Sequence, residues 1–176
     1  MMFRETEYAR PTQVQYAMLG EAVVDWSIID LLVEALIARL VRAPDFPMLA
    51  VTKRLGAEAR NGVLQALAEI HDQRYGGRVL SPEAVASIAK IRKQLQTLKP
   101  FRNRVAHWIW MRQTDDKLFG TPMLGRVPKA GRDDGSVVMT NADLRKHLDQ
   151  LPKLATLIEE TLSGLPEVDE PDLFNG

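Results

Sequence analysis

The chain is expected to be all-α: an up-and-down bundle of four to five helices with a short non-helical insertion. Three observations carry this expectation. Apolar residues recur at helical spacing over several long stretches. Capping residues and prolines stand at the ends of those stretches. From about Gln113 to Met139 the helical pattern gives way to Gly, Pro and Asp. At 176 residues the chain is sized for a single domain, placed at 1–164 with the insertion at 113–139, followed by an acidic tail at 165–176.

The first helix is expected from about Thr12 to Arg42, because Pro44 follows. Within it, "AVVDWSIIDLLVEALIARLV" has the length of a membrane span. Asp25, Asp30, Glu34 and Arg39 interrupt it, and each charge near a bilayer centre costs about 2.5–3.5 kcal/mol. A buried helix is the better reading. Its apolar residues run almost all the way round, which suits the centre of a bundle, a face for a second copy, or both.

After "RAPDFP", the stretch "AEARNGVLQALAEIHDQRY" puts Val63, Leu64, Leu67 and Ile70 on one side of a second helix. "YGGRVL" ends it. Ser81 is a natural N-cap and Pro82 a natural first residue for a third helix, with Val85, Ile88, Ile91, Leu95 and Leu98 as its apolar stripe. Pro100 is expected to stop this helix near Leu98 and open the next. In the insertion, Lys117–Phe119 and Ser136–Met139 can pair as a β-hairpin. "TNAD" starts a last helix, with Thr140 as cap and Asp143 answering it. Leu144, Leu148, Leu151, Leu154 and Ile158 follow, and Pro152 is expected to kink it.

Composition excludes several function classes. There is no cysteine, so disulfide scaffolds, thiolate metal sites and Cys nucleophiles are out. The net charge is zero, so a polyanion partner is not announced by the chain as a whole. "MMFRETEYARP" lacks a secretory apolar core, and a cytoplasmic protein without a membrane partner is expected.

Locally the balance is different. Ala84 to Thr114 contains no Asp or Glu, yet carries Lys90, Arg92, Lys93, Lys99, Arg102, Arg104 and Arg112. Such a patch suits phosphates. It culminates in "KPFRNRVAHWIWMRQ", where His107 stands among cations and aromatic rings. With Pro100 as first helical residue, Arg102 and Asn103 would lie in a first turn, where free N–H groups favour an anion. Phe101, Val105 and Ile109 would anchor that helix to the core. Asn103 and His107, four apart, share a flank. Arg102 lies about 140° round from His107 on an ideal helix, so spacing pairs His107 with Arg104 as readily.

Arg102-Asn103-x-x-x-His107 resembles the motif of the HEPN domain (higher eukaryotes and prokaryotes nucleotide-binding). That motif is an Arg, often followed by a polar residue, then a His after four to six residues, at the start of a late helix of an up-and-down bundle. The resemblance covers the motif closely and the bundle from about Thr12 to Met111 loosely; the hairpin region is not part of it. It implies a metal-independent endoribonuclease acting as a homodimer, in a toxin or phage-defence setting, with no cofactor. On that reading His107 is the base for a ribose 2′-OH, Arg102 the fixed charge for the phosphorane, and Asn103 a holder of the imidazole or of a phosphate oxygen. Arg104, Lys99, Lys93 and Arg112 contact RNA phosphates, and Trp108 or Trp110 can stack on a base. An antitoxin or other regulatory protein is a natural partner. One toxin branch has a modified Tyr two positions after the His; here that position is Ile109, so this regulation is not implied.

Two other readings stay open: a non-catalytic RNA- or nucleotide-binding dimer of the same fold, and a structural helical dimer in which Arg102 caps and His107 packs. Glu21 with Asp25, and Asp30 with Glu34, are spaced four apart, but no Glu-x-x-His accompanies them; a salt bridge from one of these acids to Arg102 or Arg104 is expected rather than a metal site. His71 and His147 show no nearby partner of catalytic type. No Gly-rich phosphate loop and no Gly-x-Ser-x-Gly is present.

Overall fold

The computed structural model describes residues 9–122 and 135–168, with 45 and 46 as main chain only. It is a mostly helical bundle with a small three-stranded antiparallel sheet inserted. The order is α1 (Gln13–Val41), α2 (Asp45–Thr52), α3 (Ala57–Tyr75), α4 (Pro82–His107), β1 (Trp108–Arg112), β2 (Lys117–Pro122), β3 (Val137–Thr140), α5 (Asn141–Leu148) and α6 (Leu151–Ser163). The expected kink near Pro152 is a break, with Asp149 and Gln150 between α5 and α6; counted as one kinked element they bring the helices to five. The short α2 was not anticipated. The expected loop of the hairpin at 123–134 and the acidic segment at 169–176 lie outside the described residues.

The described residues form two compact units. One comprises 9–26, 98–122 and 135–152; the other comprises 27–97 and 153–168.

In the first unit, α1 opens with a reciprocal cap. Gln15 N–H donates to Thr12 Oγ1 (3.2 Å), and Thr12 N–H donates to Gln15 Oε1 (2.9 Å). Fully buried, Gln15 also donates from Nε2 to the carbonyls of Thr114 (3.1 Å) and Asp115 (3.3 Å) in the β1–β2 turn. The expected hairpin forms with Lys117 opposite Thr140, Leu118 opposite Met139 and Phe119 opposite Val138. β1 adds a third strand on the other edge of β2, with Trp110 opposite Gly120. Ala9 in turn bridges to Arg112 of β1. Met18, Ala22, Trp26, Leu98, Phe101, Leu118, Met139, Leu144, Leu148 and Leu151 are the buried apolar residues of this unit. α5 starts on the expected capping box of Thr140 and Asp143.

In the second unit, Ile29, Val33, Leu36, Ile37 and Leu40 of α1 are buried, as are Leu64, Ile88, Ile91, Leu154 and Ile158. Of the stripe expected for α4, Ile88, Ile91 and Leu98 are buried and Val85 and Leu95 half-buried. The stripe expected for α3 is rotated: Arg60, Leu64 and His71 face inward, while Ile70 is exposed. The cause is a buried ion pair. Arg60 donates to Glu34 Oε1 at 2.6 Å and lies 3.2 Å from Asp30 Oδ1. Leu165, placed in the tail by sequence, is buried too.

Two expectations about the motif helix are corrected. Pro100 does not divide α4, which runs unbroken from Pro82 to His107. Pro100 and Gln96, whose carbonyl loses its partner, are both exposed, while Leu98 and Phe101 on either side are buried. Packing thus holds both flanks of a proline whose lost hydrogen bond faces water. Beyond His107 the chain turns to strand, as "WIWMR" is aromatic and β-branched in the manner of strands. Among the described residues, no helix is long and apolar enough to cross a membrane.

Candidate nucleic-acid interface

Because α4 is continuous, Arg102, Asn103, Arg104 and His107 occupy its last two turns, not a first turn. The unpaired backbone groups at that end are carbonyls, and the dipole there favours cations. The subsite of free N–H groups expected from sequence is therefore absent. Any anion must be held by side chains alone.

Arg104 is the centre of what forms. Its guanidinium lies 5.4 Å from the centroid of the Trp108 ring, a cation–π contact. Its carbonyl accepts a hydrogen bond from the Trp110 indole N–H at 3.2 Å, which offsets one of the unpaired carbonyls. The two indoles are 6.2 Å apart and tilted by 32°. Trp110 closes on Gly120: a Cβ there would meet three of its ring atoms at 2.7–2.9 Å. A glycine opposite the indole is what lets β1 and β2 close beneath it.

The other expected residues divide. His107 is exposed and Asn103 half-buried, and neither side chain bonds to another described residue. Arg102 and Lys99 are half-buried. Arg112 pairs with Asp115 at 3.1 Å, so its charge is partly spoken for. These five belong, like Arg104, to the first unit, whereas Lys93 is an exposed residue of the second. Val105 is only half-buried and Ile109 is exposed, so of the three expected anchors Phe101 alone is core.

His147 is the residue that sequence reading missed. Its ring stacks on Phe101 with centroids 4.5 Å apart and 12° between planes. Burial lowers its pKa, and the charge of Arg104 lowers it further. Its Nδ1 is enclosed without a hydrogen-bond partner. The signal was its position between Leu144 and Leu148, on the edge of the α5 apolar stripe. The contact itself joins elements distant in sequence, which no local pattern reveals.

Three acids of α1 pair with arginines outside the motif. Asp30 and Glu34 pair with Arg60, and Glu21 pairs with Arg145 at 2.8 Å. Asp25 has its pKa raised by burial and by the neighbouring Glu21 charge. Among the described residues no group of three or more His, Asp or Glu is arranged to hold a metal.

No family model, no curated protein and no solved structure matches the chain.

Proposed function

We propose that the protein is a HEPN-like, metal-independent endoribonuclease that works on RNA in the cytoplasm as a two-fold dimer, in a toxin or defence role. The observation that carries this reading is an exposed imidazole at the end of a helix whose last turns hold Arg102 and Arg104 and no carboxylate, beside an arginine stacked on an indole. His107 takes the proton of a ribose 2′-OH, and that oxygen attacks the adjacent phosphorus. Arg102 stabilises the charge of the phosphorane. The bond to the 5′-oxygen breaks, that oxygen takes a proton from solvent, and a 2′,3′-cyclic phosphate remains. DNA lacks the attacking group.

Asn103 shares the flank of His107 and suits a phosphate oxygen. Arg104, Lys99, Arg112 and Lys93 suit the phosphate backbone, with Trp108 and Trp110 offering faces for bases. The second copy is supported by α1, on which Val14, Tyr16, Val23, Val24, Ile28 and Leu31 are exposed; apolar patches of this kind mark protein contacts. A regulatory partner protein, such as an antitoxin, fits the same role.

A second reading, RNA binding without cleavage, has its own support. The motif lies at the C-terminal end of its helix, and no described residue orients the His107 ring. One experiment separates the two. Mixed RNA is incubated in EDTA with wild type, His107→Ala and Arg102→Ala. Cleavage that falls about 10²-fold or more in each variant supports catalysis. Salt-dependent binding with no cleavage supports the second reading, with Lys93→Ala weakening binding at low salt. Full activity in His107→Ala, or unfolding of that variant, would overturn the assignment of His107.

A further inference from the structure

The second unit contains a small cleft lined by Arg39, Arg42, His71, Val79, Leu80, Leu165 and Pro166. No carboxylate lines it. Its volume is about 10 Å³, close to the ~10–15 Å³ that one water-sized group needs.

His71 is 6% exposed. Its Nε2 lies 2.8 Å from the Leu40 carbonyl, which can only accept, so Nε2 carries a proton. Nδ1 is enclosed and has no hydrogen-bond partner. A buried polar atom left unpaired is costly and rare, so this one calls for an occupant.

Arg42 is the second unusual feature. α1 ends in a Schellman motif: Ala43 N–H donates to Ala38 O, and Arg42 N–H to Arg39 O, both at 3.1 Å. Arg42 sits at the left-handed position with φ of 59°, the only such non-glycine among the described residues. Glycine or asparagine is the usual residue there because a β-carbon is penalised. The helix dipole explains a cation at this end. It does not explain why the cation stands at the position that penalises it most, since the turn before is equally favourable. Arg39, in that turn, reaches the Pro166 carbonyl at 3.5 Å, which holds its guanidinium at the cleft.

We propose that this cleft binds a phosphate group that keeps one proton, its P–OH entering to donate to His71 Nδ1 and its other oxygens remaining at the mouth with Arg39 and Arg42. The two guanidiniums donate to the bare oxygens of the tetrahedral anion, and Nδ1, whose lone pair is free because Nε2 holds the ring proton, accepts from its P–OH. Free phosphate and a nucleotide phosphate share this chemistry. The site is independent of the RNA reading, since it uses none of the motif residues.

The test is thermal unfolding of the full chain in phosphate, sulfate, AMP and chloride at matched ionic strength. Wild type should gain about 3–6 °C at phosphate tenfold above its Kd, and neither chloride nor sulfate, which has no proton to donate at neutral pH, should reproduce the gain. Arg42→Gly relieves the left-handed strain, so its Tm in chloride should equal or exceed that of wild type while the phosphate gain disappears. A purely structural Arg42 would not separate those two signs. A gain with AMP equal to that with phosphate identifies the phosphate group itself as the ligand; a larger one identifies a nucleotide. The proposal is overturned if wild type shows no gain above chloride, or if Arg42→Gly keeps it.

Discussion

Gln15→Ala is the sharpest probe of how the first unit is held. The side chain is fully buried and makes three hydrogen bonds: from Thr12 N–H at 2.9 Å, and to the Thr114 and Asp115 carbonyls at 3.1 and 3.3 Å. At a net of about 0.5–1.5 kcal/mol each, the sum is ~1.5–4.5 kcal/mol. Thr114 and Asp115 are exposed, so water can replace Gln15 at their carbonyls, which favours the lower half of that range. A loss of about 2–3 kcal/mol corresponds to ~4–12 °C in Tm for a chain of this size. Urea unfolding measures it directly, and amide exchange at Lys117 and Gln113 should quicken as the turn is released. Gln15→Glu gives a sign check. It keeps the acceptor for Thr12 but sets a carboxylate against two carbonyls. It should be at least as destabilising as Ala at neutral pH and should recover as pH falls, because only the protonated acid donates. A change within 0.5 kcal/mol for Gln15→Ala, or a neutral-pH Gln15→Glu as stable as wild type, would refute the clamp.

Two further outcomes follow from the site. Because burial and Arg104 lower the pKa of His147 from its ordinary 6.5, the unfolded chain binds more protons below that value. Stability should therefore decline as pH drops through 6.5 and downward, and His147→Phe should flatten that slope while keeping a ring on Phe101; an unchanged slope counts against the assignment. Gly120→Ala should cost about 1–3 kcal/mol by overpacking Trp110 and change the indole signal in near-UV circular dichroism. Combining it with Trp110→Leu should recover most of the loss, and additive losses would mean that the close approach is not the cause.

Much of the helical scaffold was legible because its signals are local. Thr140 and Asp143 cap as their spacing says, Pro82 opens α4, and Ile88, Ile91, Leu98, Leu144, Leu148, Leu151, Leu154 and Ile158 are buried as their periodicity says. Each of these rests on interactions within one or two helical turns. The pairing of Lys117–Phe119 with Ser136–Met139 was legible for a similar reason: two short β-type runs flank one turn-rich stretch.

Tertiary structure decided the rest. A proline's local preference ends a helix, yet Leu98 and Phe101, buried on either side, carry α4 through Pro100. This moves Arg102 and Asn103 from a helix start to a helix end and removes the backbone donors expected there. The spacing of Phe101, Val105 and Ile109 reads as helix, but Trp110 over Gly120 draws 108–112 into a sheet. The face of α3 is set by Arg60 reaching Glu34, and the environment of His147 by Phe101 and Arg104 on another helix. Sequence by itself determined most of the helical stretches, the caps at Ser81 and Thr140, and the run of positive charge along α4. Which cation meets which ring, and which acid takes which arginine, depends on contacts between elements far apart along the chain, and those energies exist only once the chain has folded.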